Sequence, residues 1–343
     1  MLESNDQRKF SPSSESISRC IVSCTFVLLT QSALSLVPLF FSASPILLQL
    51  SLSALLQVLA VGFGRVCRRV TGLRASAPAF VFFNILFVWG VYIAVVRKAV
   101  SRLADIIFNG EIIMIVTGLC SILSSDPGFV AYSSTGSDEL TESSGFKVQF
   151  NDENSLSQRR VRYCKNCKAY IKGFDHHCPA FGNCIGQNNY ALFMVLIVGF
   201  IIAEASYLVF SSQFVRKSGF VGRNMPKNNP PQVLAVSTML FSLLQVLWQV
   251  GFLMWHVYCV CFNIRTDEWI NWKKYPEFQM ITQSQSAGES FTTVQFRNPY
   301  DKGILQNLKE FYRIHIFKVA VQEMEIWRSQ NLELELKGIT KPV

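Results

Sequence analysis

The sequence predicts an all-α fold: a multi-pass transmembrane helical bundle of about six spans with a small cytosolic Cys/His module. Three observations carry that prediction. Hydrophobic residues make up 50% of the 343 and charged residues 16%, against about a quarter charged in a typical soluble domain. The apolar residues gather into runs of bilayer-crossing length, about 20 residues each. Cys164, Cys167, Cys178 and Cys184 crowd into one short polar stretch together with His176 and His177. This composition excludes a disordered chain, a collagen and a highly charged nucleic-acid-binding arm, so no nucleic-acid partner is expected. A secreted disulfide scaffold would instead spread its cysteines through a short polar chain.

Residues 1–19 are polar and Ser-rich and read as a cytosolic N-terminus. They lack the basic start and small-residue cleavage site of a secretory leader, so no removal is expected. Residues 20–125 hold four predicted transmembrane helices. The apolar stretch from Cys20 to Gly64 is too long for one span and splits near Ser42–Pro45 into helices of 20–41 and 44–64. A third run covers Ala77–Val96. The fourth, Ile106–Leu123, carries Asn109 and Glu111 in its first half. A carboxylate inside a span is expensive unless it faces other helices. Glu111, and Glu204 further on, are therefore expected in polar contact between helices.

Residues 126–160 turn polar and read as a flexible cytosolic linker, because the segment from Ser133 onward offers almost nothing to bury. Residues 161–189 form the Cys/His module. Residues 190–262 hold two more predicted spans, Tyr190–Phe210 and Val233–Cys261, separated by the Pro- and Asn-rich loop Arg216–Pro231. The C-terminal tail, 263–343, is polar with scattered aromatics, and Asn307–Leu336 reads as helical. No internal repeat is evident.

The net charge of +9 reports topology in such a chain. Six spans place both termini and the module on one side of the bilayer. The two opposite loops hold Arg97, Lys98, Arg102, Arg216, Lys217, Arg223 and Lys227, and all other Lys and Arg fall on the module's side. The positive-inside rule makes that side the cytosol.

The chemistry lies in Cys164-Lys165-Asn166-Cys167, then Asp175-His176-His177-Cys178-Pro179, then Asn183-Cys184. These residues supply one complete tetrahedral Cys3His zinc site. Thiolate and imidazole both suit this borderline-soft cation, and metal binding would drive the folding of a segment with so little apolar material. Two cysteines and two histidines compete for the last two places, and spacing does not choose between them. The cysteine left over, beside the spare histidine and Asp175, has the makings of a nucleophile with its base and an orienting carboxylate.

The cluster resembles the Asp-His-His-Cys (DHHC) family of protein S-acyltransferases, or palmitoyltransferases. Asp175-His176-His177-Cys178-Pro179 is followed by Asn183-Cys184-Ile185-Gly186, Asn189 and Phe193, as in that family. Asp126-Pro127-Gly128 is similar to its Asp-Pro-Gly element, and Thr266-Asp267-Glu268 to its Thr-Thr-x-Glu element, with Arg265 in the first Thr position. Asn298-Pro299-Tyr300-Asp301-Lys302-Gly303, with Asn307 and Phe311-Tyr312, is similar to its C-terminal motif. The two N-terminal spans fall outside the family's four-span core.

The resemblance implies Cys178 as the acyl-carrying nucleophile, His176 as base and Asp175 as orienter, with His177 joining Cys164, Cys167 and Cys184 on one Zn2+. It implies transfer of a palmitoyl group from acyl-CoA, the co-substrate, to protein cysteine through an acyl-enzyme. The expected partners are protein substrates with membrane-proximal cytosolic cysteines, acyl-CoA and the lipid bilayer. The expected location is an endomembrane (Golgi/ER) or the plasma membrane, with the zinc module and both termini cytosolic. The sequence departs from the family in two places. The ligands of the family's second zinc are gone, with Tyr163 in the place of its His and Tyr170 in the place of its Cys. Ala180 stands where a Trp would wall the nucleophile, which bears on acyl-chain placement and activity. The alternative reading is a catalytically impaired or inactive membrane adaptor whose zinc module binds partner proteins.

Elsewhere, His256 reads as an interfacial side chain. Cys259 and Cys261 read as acylated or as packed, Trp269 and Trp272 as interface anchors. Lys273-Lys274 read as a solvated tail pair, or as contacts for anionic headgroups or the phosphates of coenzyme A. Tyr300 and Tyr312 are expected to dock the tail.

Overall fold

The computed structural model describes residues 14–72, 74–130, 160–218, 229–286 and 289–313. Six of its helices are long and apolar enough to cross a membrane: α1 (Ser14–Phe40), α2 (Ile46–Thr71), α3 (Ala77–Ala94), α4 (Arg102–Ser124), α5 (Tyr190–Lys217) and α6 (Pro230–Cys261). The chain is a multi-pass helical membrane protein. It divides into two compact units. One holds residues 1–123, 179–182 and 195–252; the other holds 124–178, 183–194 and 253–343.

In the first unit, local chemistry sets the helix ends. Gly72, at φ 71°, turns the chain out of α2 while its N–H caps the Arg68 carbonyl, a left-handed stop that suits glycine. Ser76 opens α3 as N-cap, with Pro78 in the first turn. α1 is clasped to the start of α3 at Ser23, whose hydroxyl accepts the Ser76 N–H at 2.8 Å. Deeper in, the Gln31 amide donates to Asn84 at 3.1 Å. The core gathers Tyr92, Phe108 and Tyr207, with the Tyr92 and Phe108 rings 4.3 Å apart. α4 and α5 close at Gly118, where an added Cβ would lie 2.5 Å from Leu196.

Of the two carboxylates expected in polar contact between helices, Glu111 makes one. Ser206 donates to Glu111 at 3.2 Å, and Trp89 donates to Asn109 at 3.0 Å, while the buried Glu204 Oε2 has no hydrogen-bond partner among the described residues. Large apolar side chains such as Leu47, Val58, Ile106, Met114 and Trp248 remain exposed on the outer faces, where lipid replaces water as the solvent.

The second unit is where the all-helical expectation gives way to short strands. A three-stranded antiparallel sheet runs in the order β1 (Phe129–Val130), β3 (Ala169–Lys172), β2 (Val161–Cys164). A separate hairpin pairs β4 (His176–Cys178) with β5 (Asn183–Ile185). In the tail, β6 (Gln279–Ser286) pairs with β7 (Glu289–Phe296), after the short helix α7 (Thr266–Asn271). Residues 304–313 are helical. The rest of the helix expected over 307–336, and 131–159 of the expected linker, lie outside the described residues.

Polar side chains knit these short pieces together. Asp126 accepts the N–H groups of Gly128 and Phe129. Asn189 accepts the Gly186 N–H at 2.9 Å and donates to the Cys184 carbonyl at 2.9 Å. Gly186 passes so close to the Asp126–Gly128 turn that an added Cβ would sit 2.3 Å from the Pro127 carbonyl oxygen and 2.7 Å from Ile171. Gly186→Ala is therefore expected to destabilise this unit by about 1–3 kcal/mol. A lowered melting temperature of the purified chain checks this, and an unchanged one would mean the turn can retreat.

Candidate active site and metal cluster

Strand alternation sorts the Asp-His-His-Cys run. Successive side chains of a strand point to opposite faces. β4 therefore sends His177 one way and both His176 and Cys178 the other. His177 stands directly across from Cys184 in the β4–β5 ladder, and its Nδ1 lies 3.4 Å from the Cys184 sulfur and 3.5 Å from that of Cys167. The Cys167 and Cys184 sulfurs are 3.4 Å apart. Cys164 completes the group, and the ligand atoms of Cys164, Cys167, His177 and Cys184 all lie within 4.8 Å of one another.

This Cys3His donor set fits a tetrahedral metal ion, and the cluster could hold one. The knuckle that presents it is local. The Cys167 N–H points at the Cys164 sulfur at 3.5 Å, and Lys168, at φ 52°, turns the chain back into β3. Burial, joined by the charge of His176, lowers the pKa of His177, which favours the neutral imidazole that ligates metals. Burial and the neighbouring thiols of Cys164 and Cys167 push Cys184 up, a proton that a bound cation would displace.

On the other face, Asp175 is wholly buried. Its Oδ2 meets His176 Nδ1 at 2.8 Å, and its Oδ1 accepts the Thr266 N–H at 3.0 Å. Its backbone carbonyl accepts the N–H of Asp267 at 3.0 Å. The first turn of α7 thus supplies donors to both side chain and backbone. Burial opposes a charge on Asp175, yet the His176 hydrogen bond and the positive charges of His176 and Arg265 hold its pKa below the usual carboxylate range. Burial likewise opposes charge on His176. The hydrogen bond to Asp175 and the neighbouring Cys178 thiol outweigh that and raise its pKa to about 9, close to the ordinary range of a thiol, about 8.5. Cys178 itself is buried.

α7 is anchored in turn. Arg160 grips both oxygens of Glu268, at 2.8 and 2.7 Å, and reaches Asn263 as well. Asn298 and Asn307 donate to the carbonyls of Phe262 and Cys261 at 2.6 and 2.8 Å. Those contacts tie the C-terminal motif to the end of α6.

His256 is placed differently from the sequence expectation. It is fully buried, with its ring 5.8 Å from that of His176 and 4.8 Å from that of Phe193. Tyr190 shares a 3.0 Å hydrogen bond with its Nδ1, and Arg265 lies over the Tyr190 ring at 4.5 Å. Asp175, His176 and His256 form a second group within metal-ligand reach of one another, although the Asp175–His176 bond already occupies two of its members. Hydropathy placed His256 near a span's end but carried no information on which way it points.

The remaining candidates sort by packing. Cys259 is buried against Ile264, Phe278 and Tyr300, which answers the packed reading; Cys261 is half-buried. Trp269 packs edge-on against Trp255, Tyr258 and Phe296. Lys273 lies over the Trp272 ring, and Lys274 donates to Asn271. Tyr300 docks the tail beneath Arg160, 3.9 Å away, whereas Tyr312 is exposed. Tyr163 and Tyr170 are cross-strand partners in β2 and β3, their rings 5.1 Å apart.

Comparison with known proteins points the same way. Residues 149–273 match the family model for the DHHC palmitoyltransferase. The chain is 33% identical over 151 residues to palmitoyltransferase ZDHHC18 of Homo sapiens, covering 43% of this chain and 35% of that protein. It is 34% identical over 112 residues to palmitoyltransferase ZDHHC18-B of Danio rerio, covering 32% and 28%. It is 33% identical over 113 residues to palmitoyltransferase ZDHHC9 of Bos taurus, covering 32% and 30%. The match thus spans about a third of the length of these curated relatives. With its Asp-His-His-Cys strand, its Cys3His cluster and its apolar helices, this chain carries a DHHC palmitoyltransferase domain over residues 149–273.

Proposed function

We propose that the chain is a protein S-acyltransferase that moves a long-chain fatty acyl group, palmitoyl in the first instance, from acyl-CoA to protein cysteine. One observation carries the reading: Asp175 is hydrogen-bonded to His176 at 2.8 Å, and Cys178 shares the His176 face of β4, opposite the Cys3His cluster. In the first step His176 takes the Cys178 thiol proton as the sulfur attacks the thioester carbon. The C–S bond to coenzyme A breaks, and the imidazolium returns the proton to the departing thiolate. In the second step a substrate cysteine gives its proton to His176, its sulfur attacks the Cys178 thioester, and Cys178 leaves as the thiol. Asp175 fixes the ring orientation and stabilises the imidazolium.

Cys164, Cys167, His177 and Cys184 would hold one Zn2+, whose part is to cross-link strands too short to hold one another. The substrates in this reading are proteins with cysteines close to the membrane on the cytosolic side, the side that the excess of Lys and Arg supports for the module and both termini. An endomembrane (Golgi/ER) or the plasma membrane is the proposed setting.

Cys178→Ser is expected to abolish the acyl-enzyme formed from labelled palmitoyl-CoA while keeping one equivalent of zinc. Intact mass spectrometry and metal analysis on the same sample check both halves, and an acyl adduct persisting in the variant removes Cys178 from the mechanism. His176→Ala is expected to slow acyl-enzyme formation by about 10²–10⁴-fold, the usual range for a positioned base, again with zinc retained. Cys164→Ser and His177→Ala should instead release the metal and lower the melting temperature. Unchanged zinc content in either would break the ligand set.

A further inference from the structure

A large cavity lies in the first unit, remote in sequence from the DHHC run. It measures about 770 Å³, inside the range of ligand-sized pockets, about 300–1,000 Å³. α1 and α2 form its walls, and α3 and α6 line its inner end, so it is built largely from the two spans that precede the four-span core. Its character is graded along its length. Arg65, Arg68 and Arg74 line one end; Gln57, Asn84 and Gln245 line the other; apolar side chains such as Phe26 and Phe80 lie between. From Arg68 to Gln57 is eleven residues of α2, about 16 Å of helix. One side is open, where Ile21, Leu29, Val61 and Phe63 are exposed. In a spanning helix pair that side faces acyl chains.

Among the described residues the three arginines have no acidic counterpart. None pairs with a carboxylate among the described residues, and no Asp or Glu lines the cavity. Three unpaired guanidinium groups above an apolar channel call for a ligand with an anionic head and a hydrocarbon tail. The guanidinium fork matches a phosphate in charge and in bidentate geometry. Basic pockets between spans at the cytosolic ends are where anionic headgroups bind. The lateral opening selects the source: a bilayer lipid slides its tail in sideways with its head already at the level of the arginines.

We propose that this groove is a binding site for one anionic glycerophospholipid, its phosphate head on Arg65, Arg68 and Arg74 and one acyl tail between α1 and α2. The proposal stands apart from the acyl-transfer reading, because its readout is lipid capture and none of these residues belongs to the Asp-His-His-Cys site.

The test uses the full chain in phosphatidylcholine nanodiscs doped with a tail-photoactivatable phosphatidylserine. Cross-linked peptides should map to 21–30 and 57–71, and unlabelled phosphatidylserine should suppress them where extra phosphatidylcholine does not. Replacing all three arginines with glutamine should weaken capture by about a hundred-fold, from about five-fold for each basic group lost. Replacement of all three with lysine should restore most of it. Ala60→Phe, which fills the channel and leaves the arginines in place, should suppress labelling independently. Equal labelling by photoactivatable phosphatidylcholine, or unchanged capture in the glutamine variant, would overturn the site. Displacement of the label by palmitoyl-CoA but not by phosphatidylserine would reassign it to the thioester.

Discussion

Three neighbouring side chains, each able to bind metal, need a reason not to bind the same one, and the extended geometry of β4 provides it. In a helix His176, His177 and Cys178 would lie about 100° apart around the axis, with no face grouping the outer two against the middle one. In a strand the middle residue is separated from its neighbours by the pleat. His177 goes to Cys184, its cross-strand partner, while His176 and Cys178 share the opposite face. The pairing also protects the proposed nucleophile, since a slip of one residue would exchange the faces and deliver His176 and Cys178 to the cluster. The Asp175 N–H bond to the Ile185 carbonyl, 2.8 Å, holds the register at the strand's entrance.

The second requirement is a buried carboxylate that stays charged. Removing a carboxylate from water is costly unless donors replace the lost solvation. Asp175 meets this with one imidazole and one α7 N–H on its side chain. α7 spans only six residues, too few to hold itself in place, so it depends on Arg160 clasping Glu268. Breaking such a buried pair at one partner is far more damaging than its net contribution suggests. Residues 160, 175 and 265–268, far apart in sequence, therefore act as one support for the orientation of His176.

Much of this architecture is legible in the sequence alone. The six spans follow from run length and charge depletion, because the bilayer imposes a length that hydropathy reads directly. The cluster follows from spacing, and its division from resemblance. The β6–β7 hairpin is harder to read, although Ile281, Thr282, Phe291, Thr292, Thr293 and Val294 supply β-formers around Ala287-Gly288, a two-residue turn signal. Its strands are largely polar, so they lack the apolar alternation that marks a half-buried strand. His256 escapes for another reason. It sits on an otherwise apolar helix, where composition says that a residue is in the span and nothing about its azimuth. Arg160 escapes for a third reason: its partners lie more than a hundred positions away.

Tyr163 and Tyr170, at positions where the resemblance implies a His and a Cys as ligands of a second metal, are themselves partners in the sheet and face each other across β2 and β3. A cross-strand aromatic pair contributes roughly 0.2–1 kcal/mol, against an apparent ten or more for a structural zinc, so the pair alone is no substitute. A second fastening lies beside it. Arg160 stacks over Tyr300 and grips Glu268; two positions on, Arg162 stacks over Tyr275 at 3.8 Å and pairs with Glu277 at 2.5 Å. Both arginines combine a ring contact with a carboxylate at largely buried positions, where each component is stronger than at the surface. The entry strand of the module is thus riveted to the tail beyond the last span. Phe278 and Phe296 stack behind that tail, so the contact between strand and tail is backed by packed aromatic rings.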